Sequence, residues 1–280
     1  MKDELSVKDV QKILRKEVGF GCPVHRCGNP YLEYHHFDPP QHIRKHNDPS
    51  GMVALCAAHH SKADGGIYTD EQLRAFKNDT HNSERVKADL DWMRQDLLAI
   101  VGSVACYETP IVLLVDGISV ISFRRTEEGF LTLNVNFPSL VAETRISIRD
   151  SFIEFIGEVQ DFRCTPHGKE LEVKYQNGDY LRLRFNPLMT LEQVKKKFPW
   201  FELPSIPVMP SRREDYSELL KINFPLTVLE INLKISGTEI DISPVGVSLG
   251  GGSIKSGLSF RDSVGWTVNT SNDWKYDPRL

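Results

Sequence analysis

Cysteine is scarce in this 280-residue chain, with five residues, and no apolar run approaches the ~18–20 residues of a membrane span. The opening stretch, MKDELSVKDVQKILRKEVGF, is charged and amphipathic and lacks the apolar core of a signal peptide. These absences point to a cytoplasmic protein with no membrane partner, whose thiols serve as ligands or buried side chains rather than disulfides. Charge of one sign is lacking too. The formal net charge is −4, and residues 1–80 carry 11 Lys/Arg against 11 Asp/Glu. No broad basic field announces a nucleic-acid partner, because such a field supplies most non-selective affinity for phosphates. Only small basic surfaces are available, from Lys8, Lys12, Arg15 and Lys16 on one helix face and from Arg44 and Lys45. The glycine-rich SLGGGSIKSG has neither the spacing nor the terminal Lys-Ser/Thr of a phosphate-binding loop, and reads as a flexible turn. With 40% hydrophobic and 26% charged residues the chain has the make-up of a globular protein, not a disordered one.

What is present is unevenly spread. Seven of nine histidines lie between His25 and His60, and three of five cysteines between Cys22 and Cys56. Ser6 and Asp9 form a capping box ahead of a helical stripe through Val7, Val10, Ile13 or Leu14, and Val18. From Cys22 to Gly66 the chain reads as knuckle, strand (YLEYHHF), proline-rich loop, strand (MVALC) and short helix (AAHHSKAD) stopped by two glycines. Thr69 to Gln72 opens a further helix. Val86, Leu90, Met93, Leu97 and Ile100, at spacings of three and four, predict a helical connector over 81–107. Beyond residue 108 the texture is β-rich, with Asn177-Gly178 as a hairpin signal and one amphipathic helix near LEQVKKKF. The expected organisation is α+β, a small N-terminal metal domain over 1–80, the connector, and a mostly β domain over 108–280.

Cys22 and Cys27, separated by four residues, and Cys56 with His59 at C-x-x-H spacing make two close pairs suited to a closed tetrahedral zinc site. His25 is an alternative partner to Cys27 in place of Cys22. A second set consists of His35, His60 and Asp64. His60 and Asp64 are four apart on the predicted helix and share a face, whereas His59 is rotated by roughly 100° toward the zinc. Two imidazoles and a carboxylate with open positions suit a catalytic divalent cation.

Taken in order, CPVHRCGNPYLEYHHF and MVALCAAHHSKAD resemble the HNH endonuclease family, over about residues 20–68. The resemblance implies a ββα-metal, treble-clef domain with a structural Zn²⁺. It implies His36 as general base and His35, His60 and Asp64 as ligands of a catalytic cation, Mg²⁺ or Mn²⁺. Asp64 stands where many members have a final histidine. The family's middle asparagine falls here on Gly51, and Asn47 on the nearby loop is the candidate for an orienting role. The implied reaction is hydrolysis of a phosphodiester in nucleic acid, DNA in the first instance.

The competing reading is a zinc-stabilised binding module without activity, but His35, His36, His60 and Asp64 are surplus to that. The β-rich part carries no catalytic cluster, since Asp116, Asp161 and His167 are scattered beside turns. Its expected role is to target, inhibit or oligomerise the head, through a protein partner or a second copy of the chain. That architecture resembles bacterial and phage-defence or restriction-type HNH proteins. Trp266, Trp274 and Tyr276 near the end are candidates for closing the β core or for contacting a partner.

Overall fold

A computed structural model describes residues 5–78, 86, 88–90, 94–107, 109–141, 143–199, 224–248, 257–260, 264–270 and 272–279. The chain begins with α1 (Val7–Glu17), β1 (Leu32–His36), β2 (Met52–Cys56), α2 (Ala57–Asp64) and α3 (Asp70–Lys77). Strands follow as β3 (Ala88–Asp89), β4 (Leu97–Val101), β5 (Val104–Tyr107), β6 (Ile111–Val115), β7 (Ile118–Arg125), β8 (Leu131–Asn136) and β9 (Ser147–Arg149). Next come β10 (Phe152–Phe155), β11 (Asp161–Cys164), β12 (Glu170–Lys174), β13 (Tyr180–Leu188) and α4 (Leu191–Lys197). The last strands are β14 (Leu226–Lys234), β15 (Asp241–Ser243), β16 (Gly246–Ser248), β17 (Gly257–Phe260) and β18 (Val264–Val268). The fold is α+β and rich in strand. Among the described residues no helix is long and apolar enough to cross a membrane.

Two compact units emerge, one of residues 1–90 with 152–176, the other of 91–151 with 177–280. This division corrects the expected boundaries at 80 and 108. The segment 152–176 belongs with the N-terminal unit because its β11 is tied to α1 and to the knuckle. Buried Arg15 donates from Nε and Nη2 to Asp161 at 3.0 and 2.6 Å, and from Nη1 to the Tyr34 hydroxyl at 2.9 Å. Tyr31 bridges to Cys164 in parallel register.

The helical connector over 81–107 is also corrected. Leu97–Val101 is a strand, paired in parallel with β14 and antiparallel with β5, and all five of its residues are buried. A short apolar run buried on both faces shows no alternation, so LLAIV satisfies a helical template as well as a central strand. Met93 lies outside the described residues, as does nearly all of the glycine-rich run, 249–256.

In the N-terminal unit β1 and β2 pair antiparallel, setting His35 opposite Val53 and His36 opposite Met52. Val10 and Leu14 of α1, Val53 to Leu55 of β2, Ala63 of α2 and Leu73 of α3 close one core beneath this hairpin. Local signals set the helix starts. Ser6 Oγ accepts from the Asp9 N–H at 3.2 Å, and Thr69 with Gln72 forms a complete capping box. Lys77 at the end of α3 staples the unit. Its Nζ donates to Glu17 Oε2 at 2.6 Å and to the Pro49 and Met52 carbonyls at 2.6 and 2.7 Å. Lys77→Met leaves these acceptors without their cation, and should lower stability by roughly 1.5–3 kcal/mol, read as a fall in urea midpoint at unchanged slope.

The second unit holds two sheets. One runs β18-β6-β7-β8-β9, and the other β13-β14-β4-β5-β17, with β15 and β16 extending from β14. The two late tryptophans are buried in it. Trp266 Nε1 donates to the Val101 carbonyl at 2.7 Å and Trp274 Nε1 to Asp116 Oδ2 at 2.5 Å, whereas Tyr276 is exposed. Asp116 also accepts from the Thr270 N–H at 2.5 Å, so it is a latch for the C-terminal segment. At the expected hairpin signal, Gly178 has φ +92° and the Asp179 N–H caps the Asn177 side chain at 3.1 Å.

Candidate functional site

The knuckle that carries Cys22 and Cys27 is shaped by its backbone. The Cys22 N–H donates to the Asn29 carbonyl at 2.9 Å, the Cys27 N–H to Val24 at 2.9 Å, and the Gly28 N–H back to Cys22 at 3.1 Å. A Cβ on Gly21 would stand 2.7 Å from the Gly28 carbonyl oxygen, so only glycine allows the loop to close here. Cys56 ends β2 and is the N-cap of α2, which brings His59 around one turn later.

These four residues meet. Cys22, Cys27, Cys56 and His59 present donor atoms that all lie within 4.8 Å of one another. His59 Nδ1 is 3.3 Å from Cys22 Sγ and 3.2 Å from Cys56 Sγ, and Cys27 Sγ is 3.8 Å from Cys56 Sγ. A tetrahedron with Zn–S of about 2.3 Å and Zn–N of about 2.05 Å has S···S edges of about 3.8 Å and S···N edges of about 3.5 Å. The observed separations are close to those edges. Hydrogen bonding with Cys22 and Cys27 pushes the Cys56 thiol well below its usual range, while hydrogen bonding with Cys27, and next with Cys56, pushes Cys22 up. Three thiols crowded in this way cannot all ionise unless a cation joins them. The donor set therefore fits a structural metal. His25, the alternative partner to Cys27, is exposed and outside the cluster.

One residue further along α2 the second set assembles. His35, His60 and Asp64 also place their donor atoms within 4.8 Å of one another. His35 Nδ1 lies 3.1 Å from Asp64 Oδ1, and His60 Nδ1 lies 3.2 Å from Asp64 Oδ2. The two rings meet edge to face with centroids 5.3 Å apart. Neighbouring donors on an octahedral cation at about 2.1 Å are separated by about 3.0 Å, so this spacing suits one. Burial, and next the charge of His60, hold His35 below the usual histidine range, which favours the neutral imidazole that ligates metals. Glu33, two residues before His35 on the same strand face, brings Oε2 to 3.7 Å from His60 Nδ1. The sequence reading omitted it, although its period-two relation to His35 was available.

His36 borders the same cleft, a space of about 430 Å³ whose lining includes His35, His42, His60, Asp64 and Tyr68. His36 Nε2 is 3.1 Å from the His46 carbonyl oxygen. A carbonyl only accepts, so Nε2 carries the proton and Nδ1 keeps its lone pair. Burial lowers the pKa of His36, partly offset by that hydrogen bond.

The residue that orients His36 is thus His46, not Asn47. Asn47 is exposed and outside the cleft lining. His46 is fixed at both ring nitrogens, Nε2 donating to the Pro39 carbonyl at 2.9 Å and Nδ1 accepting from the Asp48 N–H at 3.1 Å. Its ring also meets His36 edge to face, centroids 5.0 Å apart. Gly51 makes the arrangement possible, because a Cβ there would lie 1.7 Å from the Asp38 carbonyl oxygen and 3.2 Å from His46 Cε1. The Gly51 carbonyl in turn accepts from the Phe37 and Asp38 N–H groups at 2.9 and 3.1 Å. Gly51, the position expected to carry the asparagine, instead allows a close backbone approach to Asp38.

Comparison with protein-family models, with curated proteins and with solved structures finds no match for the chain.

Proposed function

We propose that the chain is a metal-dependent endonuclease of the HNH type that hydrolyses phosphodiester bonds in DNA. The observation that carries this reading is the sharing of α2 between two donor clusters, one buried and closed, the other bordering an open cleft beside a fixed imidazole. Cys22, Cys27, Cys56 and His59 would hold a structural Zn²⁺ that fixes the start of α2. His35, His60 and Asp64 would hold Mg²⁺ or Mn²⁺, which when bound polarises a phosphate oxygen and stabilises the departing 3′ oxygen.

The chain's own residues do the rest. His36 enters the reaction neutral near pH 7, since burial disfavours its charged form. Its Nδ1 takes the proton of a water that attacks phosphorus, leaving a 5′ phosphate. The His46 carbonyl holds the ring through Nε2–H and gains strength as the imidazolium forms. The β-rich unit is proposed to target, restrain or oligomerise this head, as in restriction-type or phage-defence systems.

The test is nicking of supercoiled plasmid by zinc-loaded protein with added Mg²⁺ or Mn²⁺, beside Asp64→Ala. Wild type should cut and should hold a second, weaker metal beyond one zinc per chain. Asp64→Ala should lose that second metal and at least 10-fold in rate while keeping its zinc. Equal cutting and equal metal content in both proteins would refute the assignment. One tight metal and no cleavage of DNA by wild type would favour the non-catalytic zinc module.

A further inference from the structure

Beside the cleft the chain from Pro40 to Asp48 forms a tight projecting knob. The Pro40 carbonyl accepts from the Ile43 and Arg44 N–H groups at 2.9 and 3.2 Å, Phe37 bridges to Pro40, and His46 anchors the far end on the Pro39 carbonyl. Gln41 and His42 line the cleft itself. The next three residues, Ile43, Arg44 and Lys45, are all exposed.

Two features separate this knob from ordinary solvated surface. Among the described residues Arg44 and Lys45 make no side-chain hydrogen bond or ion pair. Arg44 feels the field of Asp48, whose Oδ1 is committed to the Ser50 N–H at 3.0 Å, and the nearby Asp38 is paired with Arg74. The second feature is apolar. Ile43 is 68% exposed, and Ile67, which follows the cleft-lining Gly66 and precedes the cleft-lining Tyr68, is 67% exposed. Large aliphatic side chains open to water thus stand next in sequence to cleft-lining residues in two segments, 41–42 and 66–68. Single exposed aliphatics are common on protein surfaces. A pair beside residues that line the candidate metal cleft, one of them followed by two exposed cations, has the make-up of a surface that grips a nucleic-acid duplex.

We propose, on the basis of the nuclease reading above, that residues 43–45 are a preformed grip for double-stranded DNA. Arg44 and Lys45 engage two backbone phosphates, and Ile43 packs against sugar and base edges in a groove. Apolar wedges of this kind are used by proteins that open or bend a duplex. The knob's internal hydrogen bonds mean that little ordering is needed on binding, which compensates for a first 80 residues that carry no net charge. The grip follows the cleft-lining Gln41 and His42 directly in the chain, so a duplex held there runs beside the cleft that His36 also lines.

The experiment uses the full chain, zinc-loaded, in a His36→Ala background that keeps the probe intact. Binding of a fluorescent 30-base-pair duplex is followed by anisotropy from ~50 to ~300 mM salt. Each duplex phosphate neutralised contributes about 0.9 to the slope of log K against log salt. Adding Arg44→Ala and Lys45→Ala together should reduce that slope by about 1.8, and weaken binding about 60-fold at ~0.1 M salt, without loss of zinc. Ile43→Ser should weaken binding several-fold at every salt concentration and leave the slope alone. An unchanged slope in the double variant, while wild type still nicks plasmid, overturns the grip and leaves the nuclease reading intact. An Ile43→Ser protein that binds like its parent removes the groove contact. A parent that ignores duplex DNA but binds single-stranded DNA or RNA overturns the proposal and redirects the substrate assignment.

Discussion

Replacing His36 with alanine should abolish most DNA cleavage while leaving the fold and the zinc content untouched. A general base typically contributes about 10²–10⁴-fold, and of the two cleft-lining imidazoles outside the cluster of His35, His60 and Asp64, His36 is the half-buried one and His42 is exposed. Its ring is half-buried, its Nε2 is engaged by a backbone carbonyl, and its loss removes no large part of the core. The loss should therefore fall on kcat with little change in duplex affinity, because a general base acts on the attacking water rather than on ground-state binding, and that is the role proposed for His36. The measurement is initial nicking rate at saturating plasmid, beside zinc per chain and the urea midpoint. Cleavage by the variant at the wild-type rate would remove the assignment. A parallel fall in zinc or midpoint would instead make His36 a structural residue. His46 acts one step back, and because it orients through its carbonyl, His46→Asn should retain far more activity than His36→Ala.

The grouping of the two donor clusters was legible because its information is local. Two cysteines on a knuckle, a cysteine at the end of a strand and two histidines on the following helix fix their own directions through helix and strand periods, so spacing alone separates His59 from His60. Caps are local as well, and Ser6, Thr69 and Gln72 announced themselves. Three features were not legible, each for a definite reason. β4 lies between two strands, so Leu97–Val101 is buried on both faces and carries no period-two signature. The segment 152–176 joins the N-terminal unit through the Arg15–Asp161 pair, 146 positions apart in the chain, which no window of sequence contains. His46 contributes a carbonyl, a group every residue has. The only trace it leaves is at Gly51, where the HNH pattern has a side chain and this chain has room for none.

Replacing Cys56 with alanine should do the reverse of the His36 change and dismantle the N-terminal unit before any chemistry is tested. Cys56 belongs to the donor cluster, ends β2 and immediately precedes α2, and it stands at the N-cap of that helix without a side-chain capping hydrogen bond. A metal held by this cluster would therefore fix the start of α2. Structural Zn²⁺ in small domains contributes an apparent ~10–16 kcal/mol, as large as the whole stability of an ordinary domain. The core under the hairpin is real but modest, built on Val10, Leu14, Val53, Leu55 and Leu73, and it cannot replace that term. Once α2 is released, His60 and Asp64 leave His35, so both clusters fail together. The expected result is less than one zinc per chain and loss of hydrogen-exchange protection through β1, β2 and α2, while β6–β8 of the other unit stay protected. Treating wild type with a strong chelator should reproduce the same pattern. A Cys56→Ala protein with full zinc and wild-type protection would show that the cluster is not a structural metal site, and the argument for a second metal on the same helix would then lose its foundation.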